Sequence, residues 1–296
     1  MALPIKKIYI DTTFKSSRSA SNSNFTVDLD RTLNFPENTA FFIDDVCIPH
    51  SWYLIDDNVN DKLYFSYCPA ALAPLLVIDP TNTGVENIMV KIEAGNYSGS
   101  DLAVELQTKI RAYINNPIFP NLLTVYYNAK RNTIIIDPGY PEWIFKLLTP
   151  ADLINKVNDT WTGASYDTTK TNNMYEIFGN VTDMGPSPWY SRINPYQSNY
   201  LNLQPIRNIY IHSSLGNYNT IGARHETSII KKIPVTANTN EVIYDQVLIG
   251  NDFSDCSKQT VHSISFELKD VSGNYINFRG SNLSFSIIFS KLDVTG

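Results

Sequence analysis

Between Thr260 and Leu292 apolar and polar side chains alternate in two runs. Ile264, Phe266 and Leu268 interleave with Ser263, Ser265 and Glu267, and Leu283, Phe285, Ile287 and Phe289 interleave with Ser284, Ser286 and Ser290. A period of two puts one set of side chains on each side of an extended backbone, so each run predicts a strand with one buried and one wet face. Asp270-Val271-Ser272-Gly273-Asn274 lies after the first run, and its Gly and Asn tolerate the positive φ of a tight turn, predicting a hairpin. One-sided strands cannot bury their apolar faces alone. They require a second sheet, which predicts a β-sandwich in which these strands pack against others from much earlier in the chain.

The N-terminal part supplies candidates. Ile8–Thr12 reads as a strand and Ser16–Asn24 as a polar loop. Phe25, Val27 and Leu29 alternate with Thr26, Asp28 and Asp30, the apolar run Phe41–Trp52 breaks at Pro49, and Leu63, Phe65 and Tyr67 form a fourth strand. Pro69–Pro80 reads as the exit from this block. The middle differs. Ile88, Val90 and Ile92 alternate with Met89, Lys91 and Glu93. Ser98 and Asp101 form a capping pair ahead of Leu102, Leu106, Ile110 and Ile114, whose i+4 spacing predicts an amphipathic helix covering a sheet. Leu123, Val125 and Tyr127 lead through Asn128–Asn132 into Ile134 and Ile136 as a hairpin with a longer loop. Thr149-Pro150 and Asp152 start a short helix through Leu153, Ile154 and Val157. From Asn158 to Asn202 periodicity disappears, and Trp161, Trp189, Tyr190, Tyr196 and Tyr200 mark this stretch as a candidate interaction loop, with packing onto the domain's own surface the competing reading. Strands resume at Ile206–His212, Ile229–Val235 and Val242–Tyr244. The order of blocks predicts one sandwich assembled from both ends, residues 1–74 and 201–296, around an inserted β-rich domain, 75–200, that carries one or two helices.

Composition narrows the function. Only 18% of the residues are charged and the net charge is −6, which argues against nucleic acid as the main partner and leaves Asn, Ser and Thr to supply surface polarity. No apolar run is long enough to span a membrane as a helix, and the N-terminal residues lack a secretory apolar core, so a chain made and kept in a cytosolic compartment is expected. Cys47, Cys68 and Cys256 are unclustered and read as reduced thiols.

The search for chemistry is negative. G-x-S-x-G, P-loop and dinucleotide fingerprints are absent, and His225-Glu226 lacks the second His of a zincin. Asp44-Asp45 and Asp56-Asp57 could hold Ca²⁺, but neighbours in a strand face opposite sides, so solvated or salt-bridged carboxylates are expected there. No catalytic residue, cofactor or metal is expected.

Four stretches together carry a resemblance: IYIDTTFKSSRSASNSNFTVDL followed by FFIDDVCIPHSWY, then GNYSGSDLAVELQTKI, LNLQPIRNIYIHSSL and SISFELKDVSGNYINFRGSNLSFSIIF. In this order they resemble the minor capsid (penton) proteins of virophages and Polinton-like viruses. The resemblance implies a single eight-stranded jelly roll with an outward inserted domain. It further implies a homopentamer at each icosahedral vertex of a virion, packing against a double jelly-roll major capsid protein, with a host-surface ligand as a further partner of the insertion. The alternative is a jelly-roll receptor- or glycan-binding protein of the fibre-head or lectin kind, to which the aromatic loop would belong.

Overall fold

A computed structural model describes residues 4–72, 84–114, 122–154, 161–162, 174–179, 188–216, 221–223, 225–246 and 253–291. The chain enters through β1 (Pro4–Asp11), β2 (Asn24–Asn34) and β3 (Thr39–Pro49). It continues through β4 (Lys62–Pro69), β5 (Glu86–Lys91), helix α1 (Gly99–Tyr113), β6 (Thr124–Asn128), β7 (Thr133–Asp137), β8 (Trp143–Leu147), helix α2 (Pro150–Ile154), β9 (Trp161–Thr162) and β10 (Tyr196–Gln197). It closes with β11 (Asn208–Ser213), β12 (Ile229–Pro234), β13 (Val242–Gln246), β14 (Ser254–Asp255), β15 (Thr260–Lys269) and β16 (Ser284–Lys291). These elements make two compact units: Met1–Trp52 with Ile206–Gly296, and Tyr53–Pro205.

In the first unit, sheet A has the order β1-β16-β3-β13, with β14 also against β3, and sheet B has the order β12-β11-β15-β2. The antiparallel pairs nest: β1 with β16, β2 with β15, β3 with β13 and β11 with β12. One long hairpin of nested pairs rolled into two layers gives this order, which is the jelly roll. Its core is largely aromatic. The rings of Phe266 and Phe285 meet edge-on at 5.0 Å, and Phe35 stacks on Phe289 at 4.4 Å. Each such buried ring contributes roughly 1.5–3 kcal/mol.

The two C-terminal strands are not a hairpin. β15 lies in sheet B and β16 in sheet A, so the runs that alternate in phase face each other across the core instead of exchanging hydrogen bonds. The turn at Asp270–Asn274 is real, with Asp270 N–H donating to the Asn274 carbonyl at 3.0 Å and Gly273 at φ 82°, but it only redirects the chain toward Tyr275. Period two determines which side chains are buried, and it leaves the hydrogen-bonding partner open.

The second unit has two sheets, β8-β4-β5-β9 and β10-β7-β6, and its own core. Its limits, Tyr53 and Pro205, lie outside the expected 75 and 200: β4 pairs with β5 and β8, so Leu63, Phe65 and Tyr67 belong to this unit's sheet. β5 is buried on both faces. Ile88 and Val90 enter the main core, and Met89 packs with Tyr64, Leu148 and Leu153. Helix α1 is capped by Ser98, whose Oγ accepts from Asp101 N–H at 3.1 Å and donates to Asp101 Oδ2 at 2.6 Å. Its buried face, Leu102, Ala103, Leu106 and Ile110, joins that core, and Gln107 Oε1 and Arg111 tie it to Val125 and Leu123 at the start of β6. Helix α2 begins with a reciprocal cap, Thr149 Oγ1 accepting from Asp152 N–H and Asp152 Oδ2 from Thr149 N–H. Val157 lies outside the described residues.

Candidate interaction surfaces

Among the described residues of the stretch from Asn158 to Asn202 lie β9, β10 and a 3₁₀ turn at Met174–Glu176. Trp161 sits in β9, paired in parallel with Asn87 of β5. Tyr190 is bound by its backbone to Phe145 in both directions, at 2.7 and 3.0 Å, and its ring meets Phe145 and Tyr196. Tyr196 is buried and also meets Phe178 edge-on. The expected aromatic loop therefore divides. Tyr190 and Tyr196 close the unit's own core, whereas Trp189 is half-buried and Tyr200 is exposed. Gly179, at φ 66°, makes room for Tyr200, whose ring lies 2.5 Å from where a Cβ would stand.

Sequence reasoning missed Ile193. It is 94% exposed at the tip of a turn in which Ser191 N–H donates to the Asn194 carbonyl at 3.0 Å and Asn194 N–H donates to Ser191 Oγ at 3.3 Å. The signal was available: a lone aliphatic residue between Arg192 and Asn194, next to Pro195, in a segment with turn chemistry.

In the first unit the two outer faces differ. Sheet A presents Tyr9, Cys47, Val242 and Tyr244, all exposed, and Tyr244 lies directly across from Cys47. Phe253 packs edge-on against Phe42 at 4.9 Å beside them. The acidic pair on this face corrects an expectation. A bulge in β3 opposite Phe285–Ile287 breaks the alternation, so Asp44 and Asp45 both reach partners on the outer side. Asp44 pairs with Lys7 at 2.9 Å, a bond that raises the Lys7 pKa, and Asp45 accepts from Ser286 Oγ. Asp57 pairs with Lys91 at 3.1 Å. Among the described residues no cluster of His, Cys, Asp or Glu is arranged to hold a metal.

Sheet B carries a charged cluster of its own. Glu267 accepts from Lys269 Nζ at 2.5 Å and from Tyr275 OH at 2.6 Å. Burial works to raise the Glu267 pKa, but these two bonds outweigh it and lower it, and the same contact raises the Tyr275 pKa. At the β12 edge, Lys231 is turned inward, with Nζ 2.8 Å from Asp245 Oδ2 and 3.3 Å from the Ile43 carbonyl, which links sheet B to sheet A. Burial raises the Cys68 and Cys256 thiols to about 12.

The architecture defines a class: a jelly roll whose chain leaves after its third strand, builds a second unit of 153 residues from Tyr53 to Pro205, and returns to finish the roll. The structure is similar to that of the mavirus penton protein, with a TM-score of 0.51 and 9% sequence identity over 97% of this chain and 100% of that one. A Sputnik virophage chain from the virion structure aligns over 98% of this chain and 99% of its own, with 13% identity and a TM-score of 0.45. No family model and no curated protein matches the sequence. No helix among the described residues is long and apolar enough to cross a membrane.

Proposed function

We propose that this chain is a minor capsid protein of an icosahedral DNA virus, five copies of which form the capsomer at each vertex, beside a double jelly-roll major capsid protein. The observation that carries this reading is the fold correspondence with the mavirus penton protein over nearly the whole of both chains, insertion included. Two further features support it. A ring of identical copies is a heterologous assembly, in which each copy offers two different surfaces; here one sheet presents the exposed rings of Tyr9 and Tyr244 and the other the Glu267–Lys269–Tyr275 cluster. The sparse charge and abundant Ser, Thr, Asn and Tyr also suit extensive hydrogen-bonded contacts. The role is structural, without catalysis, and the protein resides in the virion, with the Tyr53–Pro205 unit displayed outward.

Native mass spectrometry and electron microscopy of the purified protein, alone and with the co-expressed major capsid protein, test this. Rings of five, or incorporation at vertices, are expected. A stable trimer, or a monomer that stays out of assembled shells, would overturn it. One observation favours a second reading, a receptor- or glycan-binding protein: Ile193, with exposed Tyr200 and Leu203 in the same unit, is available for contact. Binding to a glycan array without any assembly with capsid protein would favour that reading over the first.

A further inference from the structure

His212 is the cross-strand neighbour of Glu267 on the outer side of sheet B, yet it is only 5% exposed. Outward positions of this sheet are otherwise wet, so something covers the ring. The segment before β12 does so: Ser228 Oγ shares a 2.9 Å hydrogen bond with His212 Nδ1, and Ser213 N–H donates to the Ser228 carbonyl at 3.0 Å. The pairing of β11 with β12 also shifts register between Ile211 and His212, and this bulge turns the chain over the imidazole. The segment is closed on itself, Gly222 N–H donating to the Glu226 carbonyl at 2.8 Å and His225 N–H to the Gly222 carbonyl at 3.0 Å.

We propose that His212 and the segment carrying Ser228 form an acid-opened latch on the face of sheet B. A protonated imidazole has two donors and a full charge, and it needs water or a free carboxylate. At 5% exposure the ring is shielded from solvent, and among the described residues its neighbour Glu267 attracts the charge but is engaged on both oxygens by Lys269 and Tyr275, while the Lys269 ammonium adds repulsion. The other groups nearby do not replace it. Glu226 attracts the charge but lies on the segment itself, His225 is exposed, Lys232 of β12 is a further exposed cation, and Lys231 turns inward to Asp245. Burial first, and Lys269 second, therefore lower the His212 pKa below its ordinary 6.5. A lowered value means that the closed segment has its full stability above pH 6.5 and loses it as the pH falls toward the folded-state pKa. Opening admits water to the ring and frees Ser228 with the segment.

Hydrogen–deuterium exchange of the full chain between pH 7.5 and 4.5, corrected for intrinsic exchange, tests the latch. Peptides covering residues 221–229 are expected to lose protection by up to about tenfold per pH unit as the pH falls below 6.5, levelling off once His212 protonates in the closed segment, while β3 and β16 stay protected. His212→Gln, which keeps a hydrogen-bonding side chain but cannot titrate, should abolish the response. Lys269→Met, which removes the repelling cation, lets the closed segment tolerate the protonated ring and should shrink the acid response. An acid response that persists in His212→Gln, an undiminished response in Lys269→Met, or protection that holds to pH 4.5 would each overturn the proposal. Should His212→Gln fail to fold, the ring's own titration, followed by NMR in the unmodified protein, must coincide with release, and a clear separation of the two would also overturn it.

Discussion

Phe266 and Phe285 illustrate how far single residues constrain this molecule. Each sits fully inside the sandwich at the point where sheets A and B touch. An aspartate at either position would bury a charge with no partner, so Phe266→Asp or Phe285→Asp is expected to cost more than about 4 kcal/mol and yield insoluble protein; a soluble product with native circular dichroism would contradict the packing. Lys231 behaves differently. Removing its partner by Asp245→Ala strands a buried ammonium, and about 2 kcal/mol is expected to be lost, somewhat less than for a fully buried pair because Asp245 is one-third exposed. Lys231→Met should cost less, and urea unfolding of both variants checks the order. The thiols give a third outcome. At pH 8 a thiol with a pKa of about 12 is ionised to roughly one part in ten thousand, so Cys68 and Cys256 should resist alkylation while exposed Cys47 reacts. Mass spectrometry should then find one label on the native protein and three after unfolding. Burial of the phenylalanines was legible in their alternation with serine. The inward turn of Lys231 was not, because lysine in a strand reads as a wet position until an opposing carboxylate from another sheet appears.

Among elements, helix α1 was the most legible, since its i+4 stripe and its cap are local properties of one segment. Ser98→Ala should lower the stability of the Tyr53–Pro205 unit by about 1 kcal/mol, measured as a shift in its thermal midpoint, because Asp101 N–H would lose its acceptor. The β6–β7 hairpin was equally plain, since its strands are neighbours in sequence and a short loop leaves them little choice. β15 and β16 show the limit of that reasoning. Alternation identified both strands and their buried faces, but a connection long enough to cross the sandwich allowed them to join different sheets. The bulge at Asp44–Asp45 escaped for a related reason. An extra residue in a ladder is set by the partner strand, and its effect was to bring both carboxylates to one side, against the simple rule of alternation.

The whole molecule is a jelly roll interrupted by a second unit, and the boundary between them can be tested. Replacing residues 54–204 by a short Gly/Ser linker is expected to leave a folded sandwich, whereas removing only 75–200 retains β4 without β5 and β8, exposing two unpaired edges. The first variant should be monodisperse in size-exclusion chromatography and the second should aggregate; aggregation of both would show that the sandwich depends on the second unit. Of the candidate loop, the sequence located the segment but could not sort it, because an aromatic ring serves a core as readily as a contact, and only packing against Phe178 and Tyr190 separates Tyr196 from Tyr200. What the sequence determined by itself was everything that depends on near neighbours: the strands, their buried faces, the capped helix, the mainly β class and the return of the C-terminal strands to the N-terminal ones. The tertiary structure alone decided the strand partners, the position of β4, the bulge, and the groups surrounding His212. These depend on contacts between segments up to hundreds of residues apart, whose hydrogen-bonding backbone is the same in every residue and carries no pattern that names its partner.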